Sequence, residues 1–303
     1  MLSETKLQEM LVEPTGKVDM VLDTDTFNEI DDQFALTLAV LSPESINLKA
    51  VTAAPFLNNR STDAGDGMLK SYDEIFRVLE RLNVKKDDFV FKGSNSFLLN
   101  RTTPVESAAA RAIIKLAYES EKPLYVAAIG AITNVASAIL LDPAIVSKIV
   151  VVWLGGHPFY WKTANEFNLK QDVAAAQVVF DSGVPLVQVP CKNVAEHLRT
   201  TVWELEKYVK GRGAVGDFLF ERFCDYSTNY FGWTKEIWDI AVIAWVINSE
   251  WVPSVITPLP LLTDEKTWQS APGRHSCRVA MDVHRDPIFR DLFTKLENFS
   301  KQK

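Results

Sequence analysis

Apolar residues along this chain gather in short runs that alternate with stretches whose apolar positions recur every three to four residues. The runs are Val18–Leu22, Leu48–Ala54, Phe89–Lys92, Leu124–Ile129, Ile149–Leu154 and Leu186–Pro190, each of strand length and bounded by polar or turn residues. Between them, helical patterns cover Asp32–Leu41, Gly67–Leu82, Ser107–Ser120, Ala131–Leu141 and Val173–Ser182. In the fourth of these, Ile132, Val135, Ala136, Ile139 and Leu140 fall on one face, which predicts a helix laid against a sheet. Gly183 ends the fifth. Strand and helix in alternation predict an α/β fold with an open, mostly parallel, Rossmann-like sheet flanked by helices. Past Val194 the alternation fades. Val202–Tyr230 and Glu236–Asn248 read as helices, and Pro253–Lys303 is mixed. No linker, low-complexity tract or repeat interrupts the pattern, so a single domain over residues 1–303 is expected.

Composition narrows the partners. With 47% hydrophobic, 23% charged and 11% aromatic residues, the chain is globular rather than fibrous or disordered. Its formal charge is −7 and no basic stripe interrupts it, which argues against nucleic acid as a partner. The N-terminal MLSETKLQEMLVEPTGK has no signal-length apolar run, and Ile149–Leu154 and Ile240–Ile247 are far short of a membrane span. A soluble protein with no membrane partner is expected. Cys191, Cys224 and Cys277 are odd in number and contain no C-x-x-C pair, which suits three free thiols in a reducing cytoplasm.

Ligands in open α/β sheets sit beyond the carboxyl ends of the strands. Directly after the first apolar run stands Asp23-Thr24-Asp25-Thr26-Phe27-Asn28-Glu29-Ile30-Asp31-Asp32, with five acids in ten residues. That density is repulsive unless a cation, hydrogen-bond donors or water compensate it, and a hard divalent ion such as Ca²⁺ or Mg²⁺ is one reading. A solvated acidic turn at a helix N-terminus is the other. Asp239, inside the apolar stretch Ile237–Trp245, favours the ion, because a carboxylate there needs a partner unless it sits on a wet first turn. Asn165-Glu166-Phe167-Asn168 follows the Gly155-Gly156 turn and offers donors and acceptors suited to sugar hydroxyls.

Taken in order, Asp23-Thr24-Asp25, Asp31-Asp32, Ile129-Gly130-Ala131-Ile132-Thr133-Asn134, Gly155-Gly156 and Glu166-Phe167-Asn168 resemble the motifs of the inosine-uridine preferring nucleoside hydrolases over nearly the whole chain. The resemblance implies an enzyme that hydrolyses the N-glycosidic bond of a ribonucleoside with one bound Ca²⁺. It implies Asp25, Asp32, Asp239 and the Ile129 carbonyl as metal ligands, a metal-bound water as nucleophile and Asp25 as general base. Asp31, Asn165, Phe167, Asn168 and Asn58, with Asn59 one step on as the alternative to Asn58, are candidate substrate contacts, and Glu166 matches the residue that takes the 5′-hydroxyl. Charge building on the ribose would be stabilised by the surrounding carboxylates. Relatives of this kind are commonly oligomers, so a homodimer or homotetramer is the inherited expectation.

The sequence departs from that pattern in three places, one being that the family's substrate-contacting Asn, a little upstream of its Glu-Phe-Asn element, has no match here. Five residues, Thr26 to Ile30, separate Asp25 from Asp31 where three are usual, so Asn28 or Glu29 reaches the ribose site or the loop bulges at the surface. Trp238, not His, precedes Asp239, which removes the usual leaving-group acid and resembles the purine-specific branch, where an aromatic ring stacks on the base. Purine nucleosides, and a role in purine salvage, are therefore expected; Trp238 as plain core is the alternative. Tyr160 and Trp161 could close over the base, and His157 is the one histidine near a strand's carboxyl end. Two other classes share parts of this pattern. A haloacid-dehalogenase-like phosphatase also opens with Asp-x-Asp, but Phe27 and the lack of its later motifs argue against it. A non-catalytic Ca²⁺-dependent nucleoside or sugar binder of the same fold fits the missing His.

Overall fold

The six apolar runs become strands because each carries side chains that two helical layers can bury. The computed structural model describes residues 2–302. In chain order its first part is α1 (Glu4–Met10), β1 (Val18–Thr24), α2 (Asp32–Val40), β2 (Ile46–Ala53), α3 (Ala64–Arg81), β3 (Val90–Phe91), α4 (Ala108–Glu119), β4 (Leu124–Ala128), α5 (Thr133–Leu141), β5 (Ile149–Leu154), α6 (Phe167–Gln171), α7 (Val173–Asp181) and β6 (Leu186–Val189). The remainder is β7 (Arg199–Thr200), α8 (Val202–Tyr208), α9 (Gly213–Cys224), β8 (Lys235–Glu236), α10 (Ile240–Ile247), β9 (Ser254–Pro258), β10 (Leu261–Leu262), β11 (Trp268–Gln269), β12 (Ser276–Ala280) and α11 (Arg285–Ser300).

Eight strands form one sheet in the order β3-β2-β1-β4-β5-β6-β12-β9. All neighbours are parallel except β9, which runs antiparallel to β12 at the edge. Alternate side chains face opposite layers. Met20 and Leu22 pack with α2, α3, α9, α10 and α11, whereas Val21 packs with α4, α5 and α7. Strand β5 is buried along its whole length, and its Trp153 indole N–H donates to the Gly130 carbonyl at 3.1 Å, tying the end of β5 to the turn after β4. Each fully buried aliphatic side chain of this kind contributes about 1.5–3 kcal/mol, which holds the strand ends rigid enough to carry chemistry on their loops. The chain runs outward from β1 through β2 to β3, then returns to β4 on the other side. The crevice at β1 and β4 is thus the switch point where ligands bind in sheets of this order.

Three expectations change. The helix predicted over Val202–Tyr230 breaks into α8 and α9, because Gly211 adopts φ +76° in the connection and ends the first piece. The helix predicted from Glu236 begins only at Ile240, because Lys235 and Glu236 instead pair with Thr200 and Arg199 as β8. Helix α1, unannounced by its two buried apolar positions Leu7 and Met10, is capped by the Ser3 hydroxyl, which accepts from the Lys6 N–H at 3.2 Å. All three cysteines are free, with Cys191 and Cys277 buried and Cys224 partly so. No helix among the described residues is long and apolar enough to cross a membrane.

Candidate active site

A pocket of about 300 Å³ opens at the switch point, over the carboxyl ends of β1, β4, β5 and β6. Its size suits a small ligand. Asp25, Asp31, Asp32 and Asp239 form one side, Ile129 and Leu154 lie at the strand ends, and Glu166, Asn168, Lys192 and Trp238 stand around the rest. Asn165 and Phe167 also line it. Of the residues singled out from sequence as substrate contacts, Asn58, Tyr160 and Trp161 are outside the lining.

The carboxylates arrive from two helix starts and one strand end. Asp31 and Asp239 occupy the N-cap positions of α2 and α10, yet neither side chain caps its helix. An N-cap Asp ordinarily accepts from the first-turn N–H groups; here both side chains turn into the pocket instead, while the positive ends of the two helix dipoles favour their charge. Asp31, Asp32 and Asp239 each place an oxygen within 4.8 Å of the others. Asp239 is 3% exposed. It therefore sits on a first helical turn, as the plainer reading had it, but a dry one. Asp25 is equally buried, and its Oδ2 has no hydrogen-bond partner. Gly130 permits this approach, since a Cβ there would stand 3.0 Å from the Asp25 carboxyl carbon. Asp32 is aimed by the Thr24 hydroxyl, which donates to its Oδ1 at 2.5 Å.

Burial raises the pKa of all four; repulsion within the cluster adds to it for Asp25, Asp32 and Asp239, and the Glu29 charge adds to it for Asp31. Asp31 is pushed up to about 7 and Asp32 to about 8. Asp23, two residues before Asp25, accepts from Thr52 Oγ1 at 2.6 Å and Asn134 Nδ2 at 2.8 Å and so braces the strand end; burial pushes it to about 6. Buried like charges without compensation are costly. The all-oxygen donor set, with the unpartnered Asp25 oxygen, fits a hard divalent cation.

The long Thr26–Ile30 loop folds inward. Asn28 and Glu29 line the pocket. The Arg60 guanidinium donates to the carbonyls of Phe27, Asn28 and Glu29 at 3.2–3.3 Å, and Gln33 Nε2 donates to the Thr26 carbonyl at 2.8 Å. Asn58 Nδ2 donates to Asn28 Oδ1 at 2.7 Å, so the residue expected to touch ribose instead holds one that lines the pocket. Glu29 pairs with Lys235 Nζ at 2.6 Å and accepts from the Tyr226 hydroxyl at 3.2 Å.

On the opposite side, Glu166 caps α6. Its carboxylate accepts from the N–H groups of Gly156, Asn168 and Leu169 at 2.9–3.1 Å, and Gly156 at φ +73° makes the turn that brings its N–H there. Burial raises the Glu166 pKa while these bonds oppose the rise. Asn168 Nδ2 donates to the carbonyls of Ile129 and Leu154, both at 3.0 Å, joining the ends of β4 and β5. Tyr160 is 67% exposed and, with Trp161, stands outside the lining. His157 lines the pocket with its Nδ1 unpartnered; burial first, and the Lys192 charge second, push its pKa down.

Sequence reasoning passed over Cys191, Lys192 and Lys235. The first two follow directly on β6 with the one residue Pro190 between, so the rule that strand ends carry ligand contacts could have found them. Lys235 gave no such signal, because its contact with Glu29 spans 206 residues.

Known proteins agree with this architecture. The chain is 27% identical over 263 residues to the pyrimidine-specific ribonucleoside hydrolase RihA of Escherichia coli O6:H1, covering 76% of this chain and 80% of that one. Among solved structures, the plant nucleoside hydrolase PpNRh1 superposes with a TM-score of 0.72 at 19% identity, over 92% of this chain and 99% of that one. The purine-preferring ribonucleoside hydrolase from Gardnerella vaginalis does so with a TM-score of 0.69 at 19% identity, over 94% and 100%. Both establish the same fold, a largely parallel sheet flanked by helices. The sequence profile of the inosine-uridine preferring nucleoside hydrolases matches residues 20–290, from within β1 into α11, and the chain therefore belongs to that family of enzymes, which hydrolyse the N-glycosidic bond of nucleosides.

Proposed function

We propose that this pocket hydrolyses ribonucleosides, purine nucleosides before pyrimidine ones, to free base and ribose, and that it needs Ca²⁺ to do so. The observation that carries the reading is the convergence of Asp31, Asp32 and Asp239, with the unpartnered oxygen of Asp25 beside them. Asp25, Asp32, Asp239 and the Ile129 carbonyl would hold the ion, and Ca²⁺ suits a set of several carboxylate and carbonyl oxygens in flexible geometry. When bound, it would supply a Lewis acid that gathers ribose hydroxyls and makes water a better nucleophile.

The chain's own residues do the rest. Asp25 takes the proton of the attacking water. Asp31 accepts from a ribose hydroxyl, and Asn168 fixes the Ile129 carbonyl that borders the same space. Glu166, Asn165 and Phe167 border the other side of the sugar. As the C1′–N bond lengthens, positive charge grows on the ribose, and the carboxylates stabilise it more than they stabilise the neutral substrate. Trp238 stacks on the base, which favours large flat rings. The relatives' names include both pyrimidine and purine preference, so Trp238 is what argues for purines here.

Ribose release from inosine, guanosine, adenosine, uridine and cytidine in Ca²⁺ tests the reading. Purine nucleosides are expected to turn over faster than uridine, Asp25→Ala to lower release by about 10³-fold or more, and Trp238→Ala to narrow the purine advantage. Binding of these nucleosides without release would instead identify a non-catalytic Ca²⁺-dependent binder, the reading that Trp238 in place of an acid favours. A cytoplasmic homodimer or homotetramer acting in purine salvage remains part of the proposal, with sedimentation as the measure of its assembly.

A further inference from the structure

Cleavage of an N-glycoside leaves an electron pair on the base nitrogen, and a base departs readily only when a donor meets that charge. The carboxylates on one side of the pocket are assigned above to the ion and the ribose, so the donor to the base has to come from the other side. Among the described residues lining the pocket, Lys192 is the only lysine or arginine. Its Nζ lies 5.7 Å from the centre of the Trp238 ring, and its charge is near enough to His157 to lower that side chain's pKa. Lys192 therefore stands beside Trp238 and His157, where the stacked base belongs.

Lys192 is also held in place. Glu196 accepts from Lys192 Nζ at 3.0 Å with one oxygen and from the Asn193 N–H at 2.6 Å with the other. Asn193 adopts φ +60°, a turn conformation that asparagine tolerates better than most residues. Its side-chain amide donates to the Tyr160 hydroxyl at 3.2 Å. A lysine clamped this way loses less side-chain freedom on meeting a ligand than a free one would.

We propose that Lys192 is the catalytic residue on the leaving-group side, and that Glu196 is its positioning residue. The proposal rests on the hydrolase reading above. As the C1′–N bond breaks, its electron pair passes to the base, which receives a proton from the Lys192 ammonium. The water oxygen bonds to C1′ and its proton passes to Asp25. Asp25 then releases its proton to solvent and Lys192 takes one back, so the net reaction is addition of water across the glycosidic bond.

The test compares inosine with 4-nitrophenyl β-D-ribofuranoside, whose nitrophenolate leaves without a proton donor. In Lys192→Met, kcat for inosine is expected to fall about 10²-fold or more and kcat for the nitrophenyl riboside by far less, so that the ratio of the two losses is at least about 30. Lys192→Arg keeps the charge but gives up no proton, so it should recover little of the inosine rate, and Glu196→Gln should show the same selective loss as Lys192→Met in weaker form. Equal losses on both substrates, or no loss on either, would overturn the assignment, as would a selective loss in His157→Gln with none in Lys192→Met. Because the nitrophenyl riboside reports folding and ribose binding in the same variant, misfolding cannot imitate the expected ratio. A wild-type protein that cleaves neither substrate would defeat the hydrolase reading itself.

Discussion

Lys235 and Glu29 lie 206 residues apart in sequence and 2.6 Å apart in space. Lys235 is 7% exposed, and against the cost of burial the charges of Asp31 and Glu29 and its hydrogen bond to Glu29 keep its ammonium charged. One ammonium thus neutralises the inserted loop and the edge of the acid cluster together. Lys235→Met leaves Glu29 and Asp31 facing each other without a cation, whereas Glu29→Gln leaves the Lys235 charge still near enough to Asp31 to offset it. Lys235→Met is therefore expected to destabilise the metal-free protein by about 1–3 kcal/mol, and Glu29→Gln by clearly less. Denaturant unfolding of both variants in EDTA measures this. Equal costs would mean that Lys235 serves the loop alone.

Asn168 joins two strand ends, and its removal should be felt in both stability and affinity. Without its amide, the carbonyls of Ile129 and Leu154 lose a common donor, at a cost of about 1–3 kcal/mol. The Ile129 carbonyl would also lose its orientation, which for a residue supporting a ligand typically weakens metal binding about 10–100-fold. Asn168→Ala should show both effects in unfolding and Ca²⁺ titrations. Lost stability with unchanged Ca²⁺ affinity would remove the Ile129 carbonyl from the ligand set.

The acid cluster also sets a pH dependence. Asp31 and Asp32 are raised from 3.8 in the unfolded reference to about 7 and about 8 in the folded, metal-free chain. The native state then holds protons that the unfolded state has already released, so stability must fall as pH rises between about 4 and 8. In EDTA, the thermal midpoint is expected to drop across this window. Ca²⁺ binds the ionised carboxylates and should flatten the drop, with its stabilisation growing toward pH 8. A midpoint that rises from pH 5 to 8 in EDTA would contradict the arrangement.

Much of this was legible beforehand where local pattern and position coincide. The strands β1, β2, β4, β5 and β6 follow from apolar runs, and the place of Asp25, Asp32 and Glu166 at the pocket from the rule that ligands sit at strand ends, whereas Ile129 came from the family resemblance alone. Position failed where a contact is long-range or a side chain serves another residue. Asn58 had the right chemistry and the right strand, yet it holds Asn28 rather than facing the pocket. The fate of Glu29 depended on Lys235, which pattern alone placed just before a helix that in fact starts later. Trp238 and Asp239 precede α10 rather than lying inside it, and that shift of a turn is what turns Asp239 into the pocket.

The central claim is that carboxylates distant in sequence share one divalent ion. Calorimetric titration of Ca²⁺ into EDTA-stripped protein at pH 7.5 addresses it directly, with Asp239→Asn as the comparison. One ion per chain for the wild type, and affinity at least about 100-fold weaker for Asp239→Asn, is the predicted result. No heat of binding in the wild type, or equal affinity in the two proteins, would contradict the account.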